Sequence, residues 1–183
     1  MKRLLAVGST LLLSVALLAG CGSTDDHNAQ DVTFAKDMTP HHEQAVVMAD
    51  LALAQASSQQ VKDLATRIKA AQGPEITKMK GWLSSWGEKA QDDMGGMDMS
   101  TMPGMEGMVN DAGMQALRGA SGAPFDRLFL QDMTGHHQGA VGMAKIELEK
   151  GKFGDAKALA REITTSQEKE ISEMGQLLQS LPA

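Results

Sequence analysis

Two segments of this 183-residue chain carry the same donor atoms in the same order. "DMTPHHEQAVVMA" spans residues 37–49 and "DMTGHHQGAVGMA" spans 132–144. The first supplies Asp37, Met38, His41, His42 and Met48; the second supplies Asp132, Met133, His136, His137 and Met143. Four of the chain's five histidines lie in these two copies. On a helix, residues three, four and seven apart share a face. Met38 and His41, Asp37 and His41, and His41 and Met48 therefore stand together. Adjacent histidines point about 100° apart, so one of each pair faces inward and the other flanks it. A lone histidine on such a face is commonly a satisfied core residue. Two His-His pairs with an aspartate and methionines at identical offsets point instead to metal binding.

The donor types select the metal. Carboxylate-bridged bundle sites use Glu-x-x-His, a pattern this chain lacks; at that spacing stand Met38-x-x-His41 and Met133-x-x-His136. Thioether with imidazole selects Cu(I), and by the same softness Ag(I), over Fe or Mg, whereas Zn(II) favours thiolate, imidazole and carboxylate. Between the two copies, "MGGMDMSTMPGMEGM" at 94–108 adds Met94, Met97, Met99, Met102, Met105 and Met108. A flexible Met-x-x-Met chain can gather two or three sulfurs around one soft cation. The alternative, an apolar promiscuous surface, fits poorly with the interspersed glycine and aspartate.

These donors need elements to hold them. The two copies belong to a longer repeat at an offset of 95 residues, in which Phe34, Leu64, Ile68, Gln72, Glu75 and Met79 match Phe129, Leu159, Ile163, Gln167, Glu170 and Met174. Each unit, 31–86 and 124–181, reads as two helices. The first runs from about 31 to 56 and the second from about 59 to 86, where apolar residues recur at the helical period. Gly73-Pro74 is expected to loosen or kink that second helix. Pro40 and Gly135 precede the histidine pairs. Either a continuous helix is distorted there, the favoured reading, or Thr39 and Thr134 are N-caps from which the helix restarts. Two αα-hairpins bury their apolar faces best against each other, so the expected fold is all-α, a four-helix bundle with approximate two-fold symmetry. The connection, 87–122, is methionine- and glycine-rich and is expected to be mobile, with a short helix before Pro124.

The chain opens "MKRLLAVGSTLLLSVALLAGC". A basic start, a short apolar run and small closing residues form a secretory signal over 1–20. "LAGC" resembles a bacterial lipobox, in which Cys21 becomes the lipid-modified N-terminus of an exported protein held on the outer face of the membrane or in the periplasm; the alternative is an ordinary secretory signal with a free cysteine beyond it. Cys21 is the only cysteine, so no internal disulfide forms and no thiolate remains for metal. Residues 21–30 read as the lipidated cysteine and a flexible tether, with His27 a tether residue. Removing Lys2 and Arg3 takes the formal charge from −6 to −8, which argues against nucleic acid as a partner.

Together, "FAKDMTPHHEQAVVMADLAL" and "FDRLFLQDMTGHHQGAVGMAKIELEKG" resemble the two halves of a DUF305 domain, and the resemblance extends over about 31–182. It implies a ferritin-like bundle in an exported protein. Some members are implicated in copper or silver binding and tolerance, which points to Met38, His41, His42, Met133, His136 and His137. The leading expectation is a membrane-tethered binder that sequesters or carries Cu(I) or Ag(I), exchanging it with a donor or acceptor protein, and not an enzyme. Two rivals stand beside it: a di-metal oxidase or ferroxidase using Asp37, Asp132, Glu75 and Glu170, and a metal-free interaction module. No nucleophile elbow or phosphate-binding loop is present to suggest hydrolysis.

Overall fold

The computed structural model describes residues 26–90 and 105–181. Its described residues form five α-helices and no strand: α1 (Ala29–Gln55), α2 (Gln59–Ser85), α3 (Asp111–Gly119), α4 (Gly122–Lys150) and α5 (Gly154–Ser180). Four long helices make the bundle and α3 is the short helix expected before Pro124. The signal segment, Cys21, and Met94, Met97, Met99 and Met102 lie outside the described residues.

Local chemistry sets the helix starts. The expected flexible tether over 21–30 ends earlier than its polar composition suggests, because His27 stacks on Trp86 and Asn28 opens α1 with a capping box: its side chain accepts from the Gln30 and Asp31 N–H groups, and the Asp31 carboxylate accepts from the Asn28 N–H. Ser58 caps α2 through the Val61 N–H. Neither Thr39 nor Thr134 is an N-cap. Their hydroxyls donate to the Ala35 and Leu130 carbonyls, both at 2.7 Å, within unbroken helices. That back-bonding is itself a source of helix bending, and Pro40 offers no N–H to the carbonyl four residues earlier. The helix α2 runs without a break through Pro74.

α1 pairs with α2 and α4 with α5, and α1 packs on α4 in the middle. Two reciprocal clasps run between the hairpins. The Asp31 carboxylate accepts from the Lys152 and Phe153 N–H groups, each at 2.9 Å. Its repeat partner, Asp126, accepts from the N–H groups of Ser57 and Ser58 at 3.0 and 2.9 Å. Each hairpin thus satisfies orphan donors at the helix start in the other hairpin. The clasps fix α1 and α4 antiparallel, which places the two histidine pairs opposite each other at mid-bundle. The apolar core splits into two clusters that are images under the repeat. One holds Met38, Met79 and Met143 among Phe34, Leu83 and Ile163; the other holds Met133, Met174 and Met48 among Phe129, Leu64 and Ile68.

The last part of the connection departs from the expected mobile loop. Met105 and Met108 are buried. The Gln44 side chain makes a pair of hydrogen bonds with the Val109 backbone, both 2.8 Å. Gly107 has a φ of +87°, and a Cβ on Gly139 would collide with the Glu106 carbonyl. Two glycines therefore let residues 106–107 lie directly on α4, and the composition-based expectation of mobility fails from Met105 onward.

Candidate metal centre

Five consecutive residues of α1, Met38 to His42, are buried. No single-faced amphipathic helix does this. It follows from α1 being enclosed by α2, α4 and the 105–110 segment. In α4, Met133, His136 and His137 are buried in the matching places. All four histidines are at most 1% exposed. His41 and His136 face each other across the centre, ring centroids 3.8 Å apart and tilted by 42°. The flanking pair turns outward to the second helix of its own hairpin. His42 Nε2 meets Glu75 Oε2 at 2.8 Å and His137 Nε2 meets Glu170 Oε2 at 2.7 Å.

These partners fix the proton positions. A carboxylate accepts, so the Nε2–H groups of His42 and His137 donate, which in the neutral ring leaves the lone pair on Nδ1. His41 Nε2 stands 3.2 Å from the Glu106 carbonyl oxygen, which also only accepts. In all three, Nδ1 is buried and without a partner; in His136 both ring nitrogens are. A native core leaves few buried polar atoms unpaired. Here five imidazole nitrogens share one layer. A second-helix carboxylate that orients a histidine and leaves the opposite nitrogen free is the outer support found behind metal-binding imidazoles.

Electrostatics reinforces this. Burial first, and the neighbouring imidazole His42 second, hold His41 down at about 3. Burial, then His41, holds His136 well below the usual imidazole range. Both rings remain neutral through mildly acidic pH, so no proton competes for their lone pairs. Asp37 is pushed up to about 6 by burial and then by the nearby Glu106 charge, and Asp132 is raised by burial. Asp132 Oδ2 is a further buried oxygen without a partner. Among the described residues, no three imidazole or carboxylate groups already converge as a metal cage.

Of the expected donors, the fold brings together His41, His42, His136 and His137. Met38 and Met133 are buried one turn away, on opposite apolar clusters. Met48 and Met143 sit inside those clusters, two turns from the histidines. Met174 comes close to the layer, its sulfur 3.8 Å from the Thr134 hydroxyl. Asp37 stands near Glu106. Met105 and Met108 are buried on either side of the Glu106–His41 contact. Glu75 and Glu170, which the repeat made visible but whose role spacing left open, hold the outer histidines. Gln72 and Gln167 are also buried, each with an unpartnered carbonyl oxygen.

An all-α bundle carrying a central layer of four histidines, built by duplication, defines the class. The chain belongs to the DUF305 family, described as a domain of unknown function, whose model matches residues 31–178. No curated protein matches the chain. Among solved structures it is similar to a DUF305 protein from Streptomyces coelicolor assigned as secreted, at 38% identity and a TM-score of 0.73, covering 81% of this chain and 90% of that one. It is similar to a DUF305 fragment from Deinococcus radiodurans at 29% identity and a TM-score of 0.75, covering 84% and 98%. It is also similar to CopM in its Cu(I)-bound form at 32% identity and a TM-score of 0.69, again covering 84% and 98%. CopM structures with Cu(II) and with silver match as well.

Proposed function

We propose that this protein is an exported, membrane-tethered binder of Cu(I) and Ag(I) that sequesters the ion or carries it to a partner protein, and that it is not an enzyme. The observation that carries the reading is the layer of buried imidazoles whose Nδ1 atoms have no hydrogen-bond partner. His41, His42, His136 and His137 supply nitrogen, Met38 and Met133 supply sulfur from the adjoining turns, and the methionines of the connection add capacity. Similarity to CopM with copper and silver bound supports the choice of ion. The role of Glu75 and Glu170 argues against a ferroxidase. Their carboxylates are engaged by histidine N–H groups, whereas a di-iron centre uses carboxylates as direct ligands. Export and the lipid anchor at Cys21 rest on the signal and lipobox pattern, and similarity to a protein assigned as secreted is in keeping with export.

The test is competition. Under anaerobic conditions the purified protein should retain Cu(I) and Ag(I) against a chelator that strips Zn(II), Fe(II) and Mg(II). Zn(II) held as tightly as Cu(I) would remove the reading.

A further inference from the structure

The chain's two tryptophans lie at one end of the bundle, with Phe153 and His27. Trp82 and Trp86 have ring centroids 6.3 Å apart. Phe153 packs edge-on to both, at 5.6 and 5.4 Å. His27 stacks on Trp86 at 4.4 Å and 9°. All four are only partly buried. They form the cap of one apolar cluster, whose image at the other end of the molecule has no such cap. At the offset of 95, Trp82 and Trp86 correspond to Leu177 and Leu181, Phe153 to Ser58, and His27 to Gly122. Leucine closes the equivalent cluster, so closing the core does not require the aromatic rings.

What distinguishes the aromatic end is that the chain leaves from it toward Cys21. Residues 22–26 separate Cys21 from His27, and a chain spans at most about 3.5 Å per residue, so a lipid on Cys21 lies within about 20 Å of this end. Tryptophan favours the membrane–water interface, where its ring is apolar and its N–H stays wet. Exposed Lys89, Lys150 and Lys152 share this end with Asp26, Glu149 and Asp155, so charge is balanced there. No described helix is long and apolar enough to cross a membrane. We propose that the Trp82–Trp86–Phe153 end is a docking surface for the phospholipid bilayer, holding the bundle end-on with the Asp126–Ser58 end directed away. The inference rests on lipid anchoring at Cys21. Aromatic insertion, not net charge, provides the contact, so zwitterionic and anionic bilayers serve alike.

Both tryptophans report on the proposed contact, which makes the experiment direct. The full lipidated chain, purified from membranes, is reconstituted in phosphatidylcholine vesicles with and without brominated acyl chains. Mass spectrometry checks the lipid on Cys21 and flotation checks attachment. Interfacial rings lie about 5–10 Å into the headgroup–acyl boundary, so bromine should remove about a third or more of the emission, and acrylamide quenching from water should fall on attachment. A reporter chain with Trp82→Leu, Trp86→Leu and Leu177→Trp places the fluorophore at the opposite end and should show little bromine quenching. Should the reporter not fold, the paired bromine and acrylamide measurements on the parent decide alone. A lipidated, floating chain whose tryptophans feel acrylamide but not bromine overturns the docking while anchoring stands. An unlipidated Cys21 overturns the anchoring, and the docking with it.

Discussion

Replacing His136 by leucine should make the metal-free protein more stable while weakening its hold on Cu(I). Both His136 ring nitrogens are buried and neither makes a well-formed hydrogen bond, the His41 backbone offering at most a weak one. Each such atom costs about 1–3 kcal/mol of lost hydration. Leucine removes both penalties but also forfeits the 3.8 Å ring contact with His41. A net gain of about 1–3 kcal/mol at pH 7 follows, or a Tm rise of about 2–4 °C per kcal/mol for a chain of this size. The pH dependence carries a second signature. His41 and His136 both have lowered pKa values in the folded state. These lowered values carry no penalty above about 6.5, the unfolded value. Below it the unfolded chain binds protons that the folded chain refuses, and stability falls by up to about 1.4 kcal/mol per pH unit for each ring. The leucine variant keeps one such ring where the parent has two, so its advantage should widen between pH 6.5 and 5. Urea unfolding of both metal-free proteins at pH 7, 6 and 5 provides the assay. A leucine variant that is less stable at pH 7, with a parallel pH profile, would refute the idea that this histidine is held at a cost for binding.

Other perturbations address the remaining parts. Glu75→Leu with Glu170→Leu removes the acceptors behind His42 and His137 but no proposed ligand, and should lower Cu(I) affinity about 10–100-fold in a chelator competition. Met38→Leu with Met133→Leu should cost under about 1.5 kcal/mol for each change in chemical unfolding, since the volumes are close, yet weaken Cu(I) binding about tenfold, equivalent to ~1.4 kcal/mol. Changing Met94, Met97, Met99 and Met102 to serine should reduce the number of Cu(I) bound, by metal analysis, and leave the metal-free Tm unchanged. Glu147 is buried beside Asp31 and is pushed up to about 8 by burial and then by its contact with Asp31. The folded state therefore keeps a proton that the unfolded state loses, and this pair should lower stability as pH rises from about 4.5 to 8. Glu147→Ala, which reproduces the Ala52 of the other repeat, should flatten that decline in urea unfolding.

The helices were legible because duplication doubled every signal. The first helix, expected at 31–56, occupies Ala29–Gln55, and the second, expected at 59–86, occupies Gln59–Ser85. The histidine layer was legible for the same reason. The reciprocal clasps were not, although Asp31 and Asp126 obey the 95-residue offset. Apart from the Ser57 hydroxyl on Asp126, the donors they take from the other hairpin are backbone N–H groups, which leave no mark in the sequence. The role of Glu75 and Glu170 needed the helix rotation that only packing sets. Composition marked Met105 and Met108 as part of a mobile stretch. It could not show that Gly107 and Gly139 open a seat for the chain on α4.

The central claim is that soft copper is held by imidazole and thioether together within the bundle. Cu K-edge X-ray absorption on the protein loaded anaerobically with one equivalent of Cu(I), with Met94, Met97, Met99 and Met102 changed to serine, tests it most directly. Nitrogen scattering with the outer-shell pattern of imidazole, accompanied by a sulfur shell, is the predicted result. A spectrum with sulfur alone, or with nitrogen and oxygen but no sulfur, would contradict the account.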